Sequence, residues 1–145
     1  MSFTAQKIVV PIDFSTSSEK AIRTALEMAS DRSSIHLIHV LYPLDAVSPG
    51  VIWGDITDAK REQAVKKTFG KFLKQHGCEG VQTVVRVGHP GEEIVDYAEE
   101  TGADLIIVPS HGHHGMKRFV LGSIAEKIIR HAKCPVLVLP CAGGK

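Results

Sequence analysis

No run in this chain reaches the roughly twenty apolar residues needed to span a bilayer. The opening MSFTAQKIVVPIDFS also lacks an apolar stretch of signal-peptide length, because Asp13 interrupts it. The sequence therefore predicts a soluble, cytoplasmic protein with no membrane insertion. Cysteine is equally sparse. Cys78, Cys134 and Cys141 are odd in number and form no CxxC pair, which argues against a disulfide framework and a cysteine-based zinc site. They read as ordinary reduced thiols. Charge of neither sign prevails: the formal net charge is +1, with 23% charged and 43% hydrophobic residues. That balance excludes wholesale disorder and gives no electrostatic drive toward nucleic acid. Internal repeats and low-complexity segments are missing too. A length of 145 residues suits one domain, spanning 1–145, with a core that needs neither metal nor disulfide.

Catalytic signatures are also missing. No Gly-Lys-Ser or Gly-Lys-Thr occurs, so there is no Walker A loop. No serine-nucleophile motif is found, and the carboxylates show no evident acid/base pair. Strong catalysis is not indicated.

What is present is an alternation of β-type and helical patterns. Lys7 to Asp13 reads as a buried parallel strand, carrying Ile8, Val9, Val10 and Ile12. A helix follows, with Ala21, Ile22, Ala25, Leu26 and Ala29 in its apolar stripe and Thr16 with Glu19 spaced as a capping box. IHLIHVLY, from Ile35, reads as the second strand, and its His36 and His39 as hydrogen-bonded histidines. The stretch from Pro43 to Thr57, with Trp53, has no clear period and reads as a long loop, either a lid or an anchored segment. Asp58 to His76 is helical, and its lysines and arginine read as a solvated face. Val81 to Val87 is a strand, and Pro90 opens a helix that runs to Gly102. This order predicts an α/β fold with a mostly parallel sheet covered on both faces by helices.

The stretch from Ile106 to Leu139 carries the chemistry. A short apolar strand from Leu105 to Val108 runs into a loop rich in Gly and His, ending at Gly122-Ser123. Ile124, Ala125, Ile128, Ile129 and Ala132 then recur at helical spacing, before Pro135 opens the strand Val136 to Leu139. Strand, glycine loop and helix start together form a layout in which backbone N–H groups can hold a phosphate. Gly112, nine residues, Gly122-Ser123, a helix and PVLVLP resemble the C-terminal signature of the universal stress protein family. KIVVPIDFS, Lys7 to Ser15, resembles its first strand. The nucleotide-binding branch of that family is written G-x-x-G, nine residues, then G-S or G-T. Pro109 stands where the first of those glycines would be, and it supplies no N–H.

The resemblance implies a five-stranded open sheet of order 3-2-1-4-5, with a switch point between the first strand and the one ending at Val108. It implies ATP as ligand, its adenosine against Pro11, Ile12, Asp13, Val40 and Val108, with Asp13 near the ribose. Backbone groups around Gly112, Gly122, Ser123 and Ile124 would take the phosphates. His113, together with Lys117 and Arg118, would meet them from the loop. The residue chemistry is consistent with this. A carboxylate at a strand end accepts ribose hydroxyls, and glycine removes the side chain that blocks a phosphate. Yet Asp13 can equally cap its own following turn, and Ser123 with Glu126 is spaced as a capping box.

The expected role is that of an ATP-binding regulatory or sensing module in stress response, with Mg or Mn where a metal joins the phosphates. Slow ATP hydrolysis is the most catalysis it would show. It would act on a protein partner of unknown identity and pair as a homodimer through the C-terminal strand. Two alternatives stay open: a nucleotide-free dimeric interaction protein of the same fold, and a metal site on His111, His113 and His114.

Overall fold

The computed structural model describes residues 5–44, 57–110 and 121–140. In chain order these form β1 (Ile8–Pro11), α1 (Thr16–Met28), β2 (Ile35–Leu41), α2 (Asp58–Gln75), β3 (Gln82–Val87), α3 (Pro90–Thr101), β4 (Leu105–Pro109), α4 (Ser123–His131) and β5 (Val136–Leu139). The strands make one sheet of order β3-β2-β1-β4-β5, with every adjacent pair parallel. The expected order 3-2-1-4-5 is therefore observed.

Strand side chains alternate between two separate cores, as the two-residue period of a strand requires. Ile8, Val10, Leu37 and Ile107 point to one face, where α1 brings Ala21, Ile22 and Ala25, and α2 brings Phe69 and Phe72. Val9, Ile38, Ile106 and Val108 point to the other, where α3 brings Ile94, Val95 and Ala98, and α4 brings Ala125 and Ile128. Ile129, although it continues the helical spacing, is 45% exposed on the outer side of α4.

Helix ends follow local chemistry, with two departures from expectation. Pro90 occupies the first turn of α3, and Gly102 ends it in the left-handed conformation at φ 69°. Glycine favours that conformation because no Cβ opposes it. Neither predicted capping box forms. Ser15, not Thr16, is the N-cap of α1, and Gly122, not Ser123, is the N-cap of α4, in both cases without a side-chain cap bond. The two glutamates are engaged elsewhere. Glu19 faces His76 of α2's C-terminal end at 3.3 Å, and Glu126 pairs with Arg130 one turn on at 2.9 Å.

Candidate functional site

The partnership of β1 with β4 is registered only at Ile8↔Leu105 and Val9↔Ile106. Beyond that the two strands part, whereas β1 stays paired to β2 as far as Pro11↔Ile38. A cavity of about 460 Å³ lies there, at the carboxyl ends of the strands. This is where an open parallel sheet collects ligands, at the point where its strand order reverses. Its walls are the end of β1 (Pro11, Ile12, Asp13), the end of β2 (Ile38, His39, Val40, Tyr42) and the end of β4 (Val108, Pro109, Ser110). The N-terminal turns of α3 (Pro90, Ile94) and α4 (Gly122, Ser123, Ile124, Ala125) complete it.

Eight of the residues expected at a ligand site thus come together: Pro11, Ile12, Asp13, Val40, Val108, Gly122, Ser123 and Ile124. Gly112 and His113 lie outside the described residues, as do His111, His114, Lys117, Arg118 and Trp53. Among the described residues no group of three or more His, Cys, Asp or Glu is arranged to hold a metal ion.

Asp13 is built into the turn after β1. Its Oδ1 accepts from the Ser15 amide at 3.0 Å, from the Ser15 hydroxyl and from the buried Ser18 hydroxyl at 2.9 Å. The Asp13 amide in turn donates to Ser18 Oγ at 3.1 Å. The capping role that the sequence left open for Asp13 is therefore real, and it fixes the carboxylate at the cavity wall. Phe14 makes the sharp turn possible by adopting φ 63°, a strained value for a bulky residue. Its ring packs edge-on against Phe69 and Phe72, with centroids 5.0 and 5.4 Å away, which offsets the strain.

The other wall is set by α4. Its N-cap Gly122 sends its own amide to the Ser110 carbonyl at 2.7 Å, which ties the helix start to the end of β4. The first amide turned back into the helix is that of Glu126, which donates to Gly122 O at 2.9 Å. The amides of Ser123, Ile124 and Ala125 therefore have no intrahelical acceptor, and the N-cap residue supplies no side-chain bond to them. Such a turn carries partial positive charge and N–H donors at the cavity. Acidic residues stand in the first turn of both helices, Glu92 and Glu93 in α3 and Glu126 in α4. Gly91 lets the two helix starts approach: a Cβ there would stand 2.6 Å from Cγ of Lys127.

Two histidines on β2 do structural work, as the sequence suggests. His39 Nδ1 lies 2.6 Å from the Ile12 carbonyl. A carbonyl only accepts, so Nδ1 carries the proton and fixes the end of β1 from the neighbouring strand. His36 Nδ1 meets the Tyr97 hydroxyl at 2.7 Å. Burial, helped by Lys7, holds His36 below the usual histidine range, and burial pushes Tyr97 up against the opposing pull of Arg86. Burial likewise raises the thiols of Cys78 and Cys134, which makes neither a ready thiolate. Sequence reading overlooked Tyr42, Pro90, Ile94 and Ser110 as cavity residues, since each arrives by a non-local contact. The available signal was Pro90, which opens a helix directly after a strand end, the side of an open parallel sheet where ligands gather.

The family model described as "Universal stress protein family" matches residues 4–140. The chain belongs to the universal stress protein family. Universal stress protein MJ0531 of Methanocaldococcus jannaschii is 35% identical over 142 residues, covering 92% of this chain and 81% of the relative. The solved structure of MJ0577, from the same organism, superposes with a TM-score of 0.74 at 30% identity, covering 92% of this chain and 95% of the other. A universal stress protein from Archaeoglobus fulgidus, solved in complex with dAMP, shares the fold with a TM-score of 0.60 at 23% identity, covering 95% and 98%. Among the described residues no helix is long and apolar enough to cross a membrane.

Proposed function

We propose that this universal stress protein binds ATP in the cavity between β1 and β4 and serves as a nucleotide-dependent regulatory or sensing module. The observation that carries this reading is the pairing of two unlike walls in one space. Pro11, Ile12, Val40 and Val108 offer an apolar slot for a base. The amides of Ser123 and Ile124, at the start of α4 behind its glycine N-cap, offer donors for a phosphate. A volume of about 460 Å³ falls within the usual range for small-ligand sites. The dAMP complex of the Archaeoglobus relative supports an adenine nucleotide as the class of ligand. Asp13, held by Ser15 and Ser18, is the residue we assign to the ribose, and Gly122 keeps the approach to the α4 amides free of a side chain. Mg or Mn would accompany the phosphates, with no protein ligand set assigned to it. Protein purified without added nucleotide, then denatured and analysed for released small molecules, tests this directly. Isothermal calorimetry with ATP, with and without Mg, completes the test. Recovery of an adenine nucleotide or a saturable ATP isotherm is expected; neither appearing overturns the proposal.

We further propose a cytoplasmic homodimer paired through β5. This strand is the sheet's outer edge. The carbonyls of Pro135 and Leu139 accept from the amides of Ile106 in β4 and Ser110 just after it. Strand alternation then turns the backbone groups of Val136 and Val138 to the open edge, free to pair with a second copy. The side chain of Val138 packs toward α4, so a lysine there would injure the core rather than report on pairing. Val138→Pro removes the outward N–H without placing a charge in the core. By light scattering the parent is expected to be dimeric at micromolar concentration and the variant monomeric; a monomeric parent rules this dimer out.

A further inference from the structure

We propose that Tyr42 selects the base, stacking its ring on the aromatic face of the bound nucleotide, with Arg61 as the residue that positions it. This rests on the nucleotide reading of the cavity. The apolar slot is otherwise aliphatic: Pro11, Ile12, Val40 and Val108 would accept any apolar group of the right size. A second aromatic ring adds discrimination in favour of a flat aromatic base, since offset stacking gains more than simple burial. Two residues with aromatic rings line the cavity, His39 and Tyr42. His39 is committed elsewhere, its Nδ1 to the Ile12 carbonyl and its ring to Phe14 at 5.2 Å.

Tyr42 differs from the molecule's other tyrosine in this respect. Tyr97 is fully engaged, its hydroxyl on His36 and its ring beneath the guanidinium of Arg86 at 5.2 Å. Tyr42 is 51% exposed at the cavity's lip and makes no ring contact among the described residues. Its backbone, however, is held on both sides. The Leu41 carbonyl accepts from the Gly88 amide at 2.8 Å. The Tyr42 carbonyl accepts from Arg61 Nη2 at 2.7 Å, and Arg61 Nη1 is anchored in turn on Asp58 at 2.9 Å. Tyr42 directly follows β2, two residues on from Val40, whose side chain faces the α3 and α4 side of the sheet, and it lines the same cavity. An exposed aromatic ring beside an apolar slot, on a backbone held in place by Gly88 and Arg61, is positioned to stack on a flat ligand.

The test compares ATP with inorganic tripolyphosphate, which has the charge and no base. Calorimetry on the parent, Tyr42→Ala, Tyr42→Phe and Arg61→Ala is combined with proton NMR of the tyrosine rings, assigned through Tyr42→Phe. Tyr42→Ala is expected to weaken ATP roughly tenfold, Tyr42→Phe less than about twofold and Arg61→Ala by an intermediate factor. The Tyr42 ring protons are expected to move upfield with ATP and to stay in place with tripolyphosphate. Wild-type affinity in Tyr42→Ala, or a still Tyr42 ring, overturns this assignment while leaving ATP binding intact. A parent that binds no ATP overturns both. Should Tyr42→Ala fail to fold, the ring shift in the parent decides alone.

Discussion

On the face covered by α1 and α2, three phenylalanines close the carboxyl end of the sheet. Phe14, Phe69 and Phe72 interlock there, with Phe69 only 1% exposed. On the face covered by α3 and α4, the same end of the same strands stays open. That side is filled by Val, Ile and Ala, which stop at Val108 and Ala125 and leave the cavity beyond them. The difference lies in side-chain volume and in the two helix starts, since the strands serve both faces equally. Large buried rings on one side make the packing at this end, and smaller side chains at the same end of the other leave a cavity.

The largest effect expected from breaking this division is at Phe69. Phe69→Ala removes a fully buried ring from the closed face and should cost about 3 to 5 kcal/mol of stability by urea denaturation. The ligand affinity of whatever remains folded should hardly change. A variant of near-parental stability that binds ATP poorly would reverse the roles of the two faces. The opposite substitution sharpens the same point. Val40→Phe puts volume into the open face, at a half-exposed position on the cavity wall. It should lower ATP affinity roughly a hundredfold, about 2.7 kcal/mol, with a shift in unfolding midpoint far smaller than that of Phe69→Ala. Equal calorimetric affinity in Val40→Phe and the parent would remove the base from this slot.

Asp13 straddles the division, and the effect of changing it is smaller and mixed. Three hydrogen bonds on Oδ1 tie it to Ser15 and Ser18, so Asp13→Ala loses turn stability as well as any ribose contact. About 1 to 3 kcal/mol is expected in stability, with a comparable loss in ATP affinity. Ser18→Ala separates the two, since it loosens the carboxylate without deleting it: melting should fall and ATP affinity should fall less. If both variants lose stability alone, Asp13 is a turn residue and no more.

The strands were legible in the sequence because each is a short apolar run between charged or glycine-rich breaks. Val136 to Leu139 is read to the residue, and β2 and β4 to within one. The sheet order required the family resemblance, as local patterns do not encode which strands are neighbours. The caps of α1 and α4 were misread for a definite reason: Thr16 with Glu19 and Ser123 with Glu126 have the right spacing, but His76, 57 positions from Glu19, and Arg130 take the glutamates. Spacing is local and the competing partner of Glu19 is not. Tyr42 and Pro90 escaped notice likewise, since they reach the cavity only through the packing of β2 and α3. The Asp13 turn was the most readable part of the wall, because the bonds of Asp13 to Ser15 and Ser18 close within five residues.

The smallest expected effect concerns His36, on the α3 side of β2, where Tyr97 and a buried setting hold the ring. Burial, with Lys7 nearby, keeps its pKa below the ordinary 6.5 in the folded protein. In the unfolded chain the ring takes up its proton near pH 6.5. Between those two values the unfolded state holds more protons, so stability rises with pH. The contribution is therefore fully present above about pH 6.5 and is lost as pH falls through the depressed folded value. The ring is only half-buried, and solvent screening limits the effect to roughly a few tenths of a kcal/mol. Urea midpoints of the parent and of His36→Gln, measured from pH 7.5 down to 5, isolate it. His76 and its partner Glu19 are common to both proteins and cancel in the difference. The parent should lose stability more steeply than the variant as pH falls. Parallel curves would mean that the His36 ring takes up its proton in the folded protein as freely as in the unfolded chain, and that its bond to Tyr97 sets no pH dependence.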